Sequence, residues 1–221
     1  MFETQLEKAA FSHKEERARI IQELANHPDE TLDAAIQILN HPKKVYWEVA
    51  TQVIRAIGYP GNAEAIPILI AHVGDQNSLA WKEAVQALLD MGPRVVVPHL
   101  LLSLWDRDRH TYWGSDVEGI CSMLSEVDAQ YAKQCGPLIT YLLGRDDLPP
   151  PRDLDRGFLL QVLEKIGNDC AEYALPTLID FVGKEGTSDV GMQAQRLIAA
   201  FSQEVLRPYT YLLASFQDVT E

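Results

Sequence analysis

Tryptophans stand at positions 47, 81 and 113, spaced 34 and 32 residues apart, and each has a carboxylate close by: Glu48, Glu83 and Asp116. Tyr46 and Tyr112 precede the first and the third. The chemistry this pattern suits is recognition rather than bond-making. Trp and Tyr offer large, rigid apolar area and are favoured interface anchors. Carboxylates beside aromatic faces suit the Lys or Arg side chains of a partner. The candidate partner-binding residues are therefore Trp47, Glu48, Trp81, Glu83, Tyr112, Trp113 and Asp116. The competing reading is that each tryptophan plugs a seam between structural units, since large aromatics are mostly buried for packing.

No other residue pattern suggests chemistry. The histidines at 13, 27, 41, 72, 99 and 110 include no i, i+4 pair, and no Cys-x-x-Cys occurs, so neither a metal nor a cofactor is expected. Gly-x-Ser-x-Gly and the phosphate-cradling Gly-x-x-x-x-Gly-Lys are both absent, and no catalytic residue is assigned. Two charge-dense stretches, Asp106–His110 and Arg145–Arg156, read as solvated turns. The run Lys14-Glu15-Glu16-Arg17 reads as a polar capping face.

With 19 basic and 32 acidic residues the net charge is −13, which argues against nucleic-acid binding driven by phosphate neutralisation. A basic partner is the complementary expectation. The start lacks a basic segment followed by an apolar one, and no apolar run is long enough to span a bilayer, so a cytoplasmic protein is expected. Cys121, Cys135 and Cys170 read as helix-packing thiols.

Helices must position these residues. Trp47–Gly58 and Trp81–Gly92 share one apolar stripe at three-to-four spacing and end in Gly, which favours the positive-φ conformation that stops a helix. Phe158–Gly167 is a more diverged copy. Prolines at 67, 98, 137, 176 and 208 recur between these segments at intervals of 31 to 39 residues. Each is expected in the first turn of its helix, where the missing donor costs little. Asn26 and Asn40 are expected as left-handed caps. Helices are expected near 3–11, 14–26, 30–40, 43–58, 63–73, 77–91, 94–105, 113–126, 129–143, 153–167, 170–183, 188–202 and 204–217, with no strand of note.

A period in this range signals a solenoid, whose units bury apolar faces only against their neighbours. The units around Ile57-Gly58 with Ala65-Ile66-Pro67-Ile68-Leu69, and Met91-Gly92 with Val96-Val97-Pro98-His99-Leu100, resemble HEAT repeats, closest to the short bacterial type of phycobilisome-lyase-like proteins. The resemblance implies an all-α fold, a right-handed α-α superhelix of about five to six helix hairpins, forming a single domain over 1–221. It also implies a non-enzymatic scaffold that holds a protein or peptide in a concave groove, a bacterial immunity or inhibitor protein being one special case. The alternative is a HEAT-like enzyme, either DNA glycosylase-like or bilin-lyase-like. The DNA reading conflicts with the scarcity of Lys and Arg near the tryptophans.

Overall fold

The computed structural model of the chain describes residues 2–40, 46–73, 80–105, 113–145, 153–211 and 213, and the side chains of all of these but 2–3, 113–116 and 153–155. Among the described residues there is no strand. The chain divides into two compact units, 1–111 and 112–221.

In the first unit, α1 (Phe2–Phe11), α3 (Pro28–Leu39), α5 (Ile66–Val73) and α7 (Pro93–Trp105) alternate with α2 (Lys14–Ala25), α4 (Trp47–Ile57) and α6 (Trp81–Met91). Consecutive helices pack as hairpins, α1 on α2, α3 on α4 and α5 on α6. The second helices of the hairpins also pack on one another, α2 on α4 and α4 on α6. The second unit repeats the plan with α8 (Trp113–Glu126), the one-turn α9 (Ala129–Ala132), α10 (Gly136–Leu143), α11 (Asp153–Ile166), α12 (Ala171–Glu185), α13 (Asp189–Ala200) and the short α14 (Gln203–Leu206). There α10 pairs with α11 and α12 with α13, while α8, α11 and α13 pack in series.

The apolar stripes explain this order. In α4, Val49, Ala50, Val53 and Ile54 are almost wholly buried. Each large aliphatic chain so buried stabilises by about 1.5–3 kcal/mol. The stripe returns with fixed offset: Ala50, Val53 and Ile54 become Ala84, Ala87 and Leu88 in α6, and Leu159, Val162 and Leu163 in α11. The helix that follows is copied as well. Ala65, Ile66, Leu69, Ile70, His72 and Val73 are buried around α5, as are Ala174, Leu175, Leu178, Ile179, Phe181 and Val182 in α12, 109 residues further on.

Gly58 and Gly92 cap α4 and α6 at φ 75°, ψ 158° and φ 90°, ψ 149°. That region is essentially closed to residues with a Cβ, so the glycines stop these helices as the sequence predicts. Asn26 and Asn40 behave differently: both are right-handed, at φ −73° and −83°, and among the described residues no residue other than glycine has positive φ. Their helices end without a left-handed cap, and Pro28 simply begins α3.

The prolines divide into two groups. Pro67 and Pro137 occupy the second position of their helices, as expected, each following a short 3-10 turn (Ala63–Ala65, Lys133–Cys135). Pro98 and Pro176 instead lie inside α7 and α12, which start five residues earlier. Gly58 to Pro67 and Gly167 to Pro176 are equally long connections. The first contains Pro60, after a cis peptide bond, and Gly61, which resist helix. The second, Asn168 to Leu175, contains neither, and the helix winds back towards Gly167. The expected single helix 129–143 is likewise broken, into α9, the 3-10 turn and α10. Beyond α14 a 3-10 turn covers Arg207–Tyr209, and most of the rest of the expected helix 204–217 lies outside the described residues.

All three cysteines are buried free thiols. Burial pushes the Cys135 thiol up to about 12 and the Cys170 thiol to about 11. Neither ionises near neutrality, as packing thiols should not.

Candidate functional site

Trp47 and Trp81 open α4 and α6, and both are half-buried. The 34-residue interval between them equals the offset of the buried stripe, so they hold the same position on adjacent packed helices. Trp113 opens α8. Its interval of 32 does not fit: the buried residues Val117, Ile120, Cys121 and Leu124 lie 33 beyond Ala84, Ala87, Leu88 and Met91, which puts Gly114 at the Trp81 position. Tyr112 lies outside the described residues, as do the side chains of Trp113 and Asp116.

The Trp47 ring meets the imidazole of His72 with centroids 4.4 Å apart and planes at 64°. His72 is only 6% exposed, and its Nε2 lies 3.1 Å from the Leu39 carbonyl, at the end of α3. The indole N–H of Trp81 is buried and has no hydrogen-bond partner among the described residues.

Beside the two tryptophans a polar row runs across α2, α4 and α6. Arg17 donates through Nε and Nη2 to the carbonyls of Ala9 and Ala10, both at 3.1 Å. These carbonyls end α1, where a cation is favoured by the helix dipole. The third nitrogen, Nη1, lies 3.4 Å from Glu48 Oε1. Gln52 donates to Glu48 at 3.3 Å and stands 3.5 Å from Glu83. Arg55 lies 3.5 Å from Glu83 and donates through Nε to Asp90 at 2.6 Å. Gln86 completes the row by donating to Asp90 at 2.9 Å. The row follows from helical spacing: Glu48, Gln52 and Arg55 share one face of α4, and Glu83, Gln86 and Asp90 share one face of α6.

Glu48 and Glu83 are therefore not bare carboxylates awaiting a cation. Arg17 and Arg55 already face them. Arg55 is held more firmly protonated than usual, first by its hydrogen bond to Asp90. At Asp90, burial pushes the carboxyl up, but the hydrogen bonds from Gln86 and Arg55 win and hold it below the ordinary range. Pairs this exposed contribute at most about 1 kcal/mol each. Next to Arg17 a recess of about 500 Å³ opens between α2 and α4, lined by Lys14, Arg17, Ala18, Ile21, Glu48 and Gln52. The expected capping face at Lys14–Arg17 is thus partly an internal joint, because Arg17 is half-buried and bridges three helices.

In the second unit the position of Trp47 and Trp81 is held by Arg156, as the offset of 75 from Ala84 to Leu159 shows. The sequence places Arg156 in a solvated turn, and the structure overturns that. Its side chain is 15% exposed, ion-paired with Glu185, and set over the Phe181 ring with 5.2 Å from guanidinium to centroid. Residues 146–152 of that charged stretch, and all of the stretch Asp106–His110, lie outside the described residues.

Arg17, Gln52, Arg55, Gln86 and Asp90 are absent from the sequence-derived set. Their only sequence signal is polar residues recurring three or four apart opposite the apolar stripe, which every surface helix shows. Among the described residues no three His, Cys, Asp or Glu side chains are grouped so as to hold a metal ion, and no helix is long and apolar enough to cross a membrane. No family model matches the chain, and no curated protein matches it either.

Proposed function

We propose that the chain is a non-enzymatic interaction scaffold, a right-handed α-solenoid of HEAT-like hairpins whose second helices line a concave groove for a protein or peptide. One observation carries the reading: half-buried Trp47 and Trp81 hold the same position on adjacent helices, beside a continuous row of hydrogen-bonding side chains from Arg17 to Gln86. Repeated equivalent positions give a partner a regular track. Aromatic side chains supply the binding energy, and the paired carboxylates supply acceptors and register. The partner is basic by charge complementarity with a chain of net charge −13, and a toxin neutralised by an immunity protein would be of this kind.

The test is affinity capture from the native host's lysate with stepped salt, repeated with Trp47→Ala and Trp81→Ala. A basic protein retained at low salt, released by salt and lost with either variant is the expected result. Each truncation should weaken binding by at least about 2 kcal/mol, roughly thirty-fold. Retention unaffected by both changes, with the fold intact by circular dichroism, rules the tryptophans out as anchors. Unfolding of both variants makes them seam packing instead.

A further inference from the structure

We propose that His72 is a positioning residue for Trp47: the last turn of α5 forms a side-chain seat that fixes the indole at the start of α4. The inference rests on the reading of Trp47 as a partner anchor, and it says what makes that anchor rigid.

Three observations support the seat. The imidazole is locked from behind, being buried and within hydrogen-bond distance of the Leu39 carbonyl, so it has little freedom of its own. It meets the indole at 4.4 Å and 64°, in the range where aromatic pairs are favourable beyond simple burial. The same two positions meet again 109 residues later, where Arg156 takes the place of Trp47 and Phe181 the place of His72, again in contact at 5.2 Å. A contact that recurs with entirely different residues belongs to the backbone plan, which brings the opening residue of one helix over the last turn of the next. Only the side chains decide what is seated. Trp81 supplies an internal control. The residue of α7 corresponding to His72 is Ser103, which presents no ring.

Binding energy from an anchor is conserved when the anchor is pre-ordered, because fewer rotamers are lost on association. His72 would do this for Trp47 alone.

The experiment is a 1H–15N spectrum of the whole chain, with the Trp47 and Trp81 indole signals assigned by their loss in Trp47→Phe and Trp81→Phe. In His72→Ala the Trp47 signal should move, and its broadening by a soluble nitroxide should rise several-fold, while the Trp81 signal stays in place. His72→Phe, which keeps a ring but not the hydrogen bond, should restore the Trp47 signal. His72→Gln, which keeps a donor but no ring, should not, and it serves if the alanine variant fails to fold. An unmoved Trp47 signal in both ringless variants overturns the proposal, as does restoration by Gln but not by Phe. Titration with octa-arginine separates this from the scaffold reading. If the seat behaves as stated but octa-arginine leaves Trp47 unperturbed, the seat stands and the basic-partner reading falls.

Discussion

At the position that opens the second helix of a hairpin, residues 1–111 carry Trp47 against His72, and residues 112–221 carry Arg156 against Phe181 and Glu185. The flanking buried stripes agree residue for residue over both helices, so the backbone environment is held constant while the chemistry changes. In the first unit the charges are displaced to a half-exposed row beside the ring, where Arg17 and Arg55 answer Glu48, Glu83 and Asp90. In the second unit a cation is brought into the seat itself, and both partners of its ion pair are largely withdrawn from water. Near-surface pairs are cheap to make and cheap to lose, whereas a buried pair is costly to break, because the survivor is left as an uncompensated charge. The comparison teaches that one repeat geometry tolerates opposite electrostatic solutions.

The largest expected effect tests whether the two units are copies. Ile54→Ala and Leu163→Ala occupy the same stripe position and are both fully buried. Each should cost about 2–5 kcal/mol in urea unfolding. Costs that differ by more than the spread for one residue type would break the equivalence.

Next comes the seat. Arg156→Leu should destabilise by about 2–4 kcal/mol, because Glu185 loses its cation, and the double change Arg156→Leu with Glu185→Leu should recover most of that loss. If the single change costs under about 0.5 kcal/mol, the pair behaves as a surface pair and the contrast between the units disappears.

The two units should also respond to pH at opposite ends. The thiols of Cys135 and Cys170 and the Tyr173 hydroxyl all lie in the second unit, and burial raises them to about 12, 11 and 12. A raised folded value means the stability is present below the unfolded pKa and is lost as pH climbs through the folded one, so melting temperature should fall between about pH 9 and 12. Cys135→Ala should flatten that fall. Tyr173→Phe should flatten it too without cost at neutral pH, since the hydroxyl is buried with no hydrogen-bond partner among the described residues. An unchanged slope in both variants would sink this account.

The smallest effect belongs to Asp90 in the first unit. Its folded value is depressed, so its contribution is present above the unfolded pKa and fades as pH falls through the folded one, below about pH 4. Asp90→Asn should cost no more than about 1 kcal/mol at pH 7, should cost less in high salt, and should lose its effect in acid. A larger, salt-insensitive cost would mean that the row is buried more deeply than the near-surface reading allows.

Much of this architecture was legible in the chain itself. Apolar spacing at three and four marks helices by geometry alone, and Gly58, Gly92 and Gly167 mark where they stop, because few other residues hold positive φ. The Trp47–Trp81 interval could be recognised as a repeat because it equals the offset of the apolar stripe. What could not be read was which polar residues meet. Arg17 joins Glu48 across 31 positions and Arg156 joins Glu185 across 29, and nothing in local sequence fixes such pairs. The Trp81–Trp113 interval misled for the same reason: one residue of register moves a side chain about 100° around a helix, and only the buried set reveals that Gly114 holds the position. Sequence by itself determined the helices, their ends and their order, since those depend on neighbours along the chain. Tertiary structure alone decided that Arg156 is buried and seated, that Glu48 and Glu83 are already paired, and that His72 stands against Trp47. Those outcomes depend on which side chains the packed helices bring within a few ångströms.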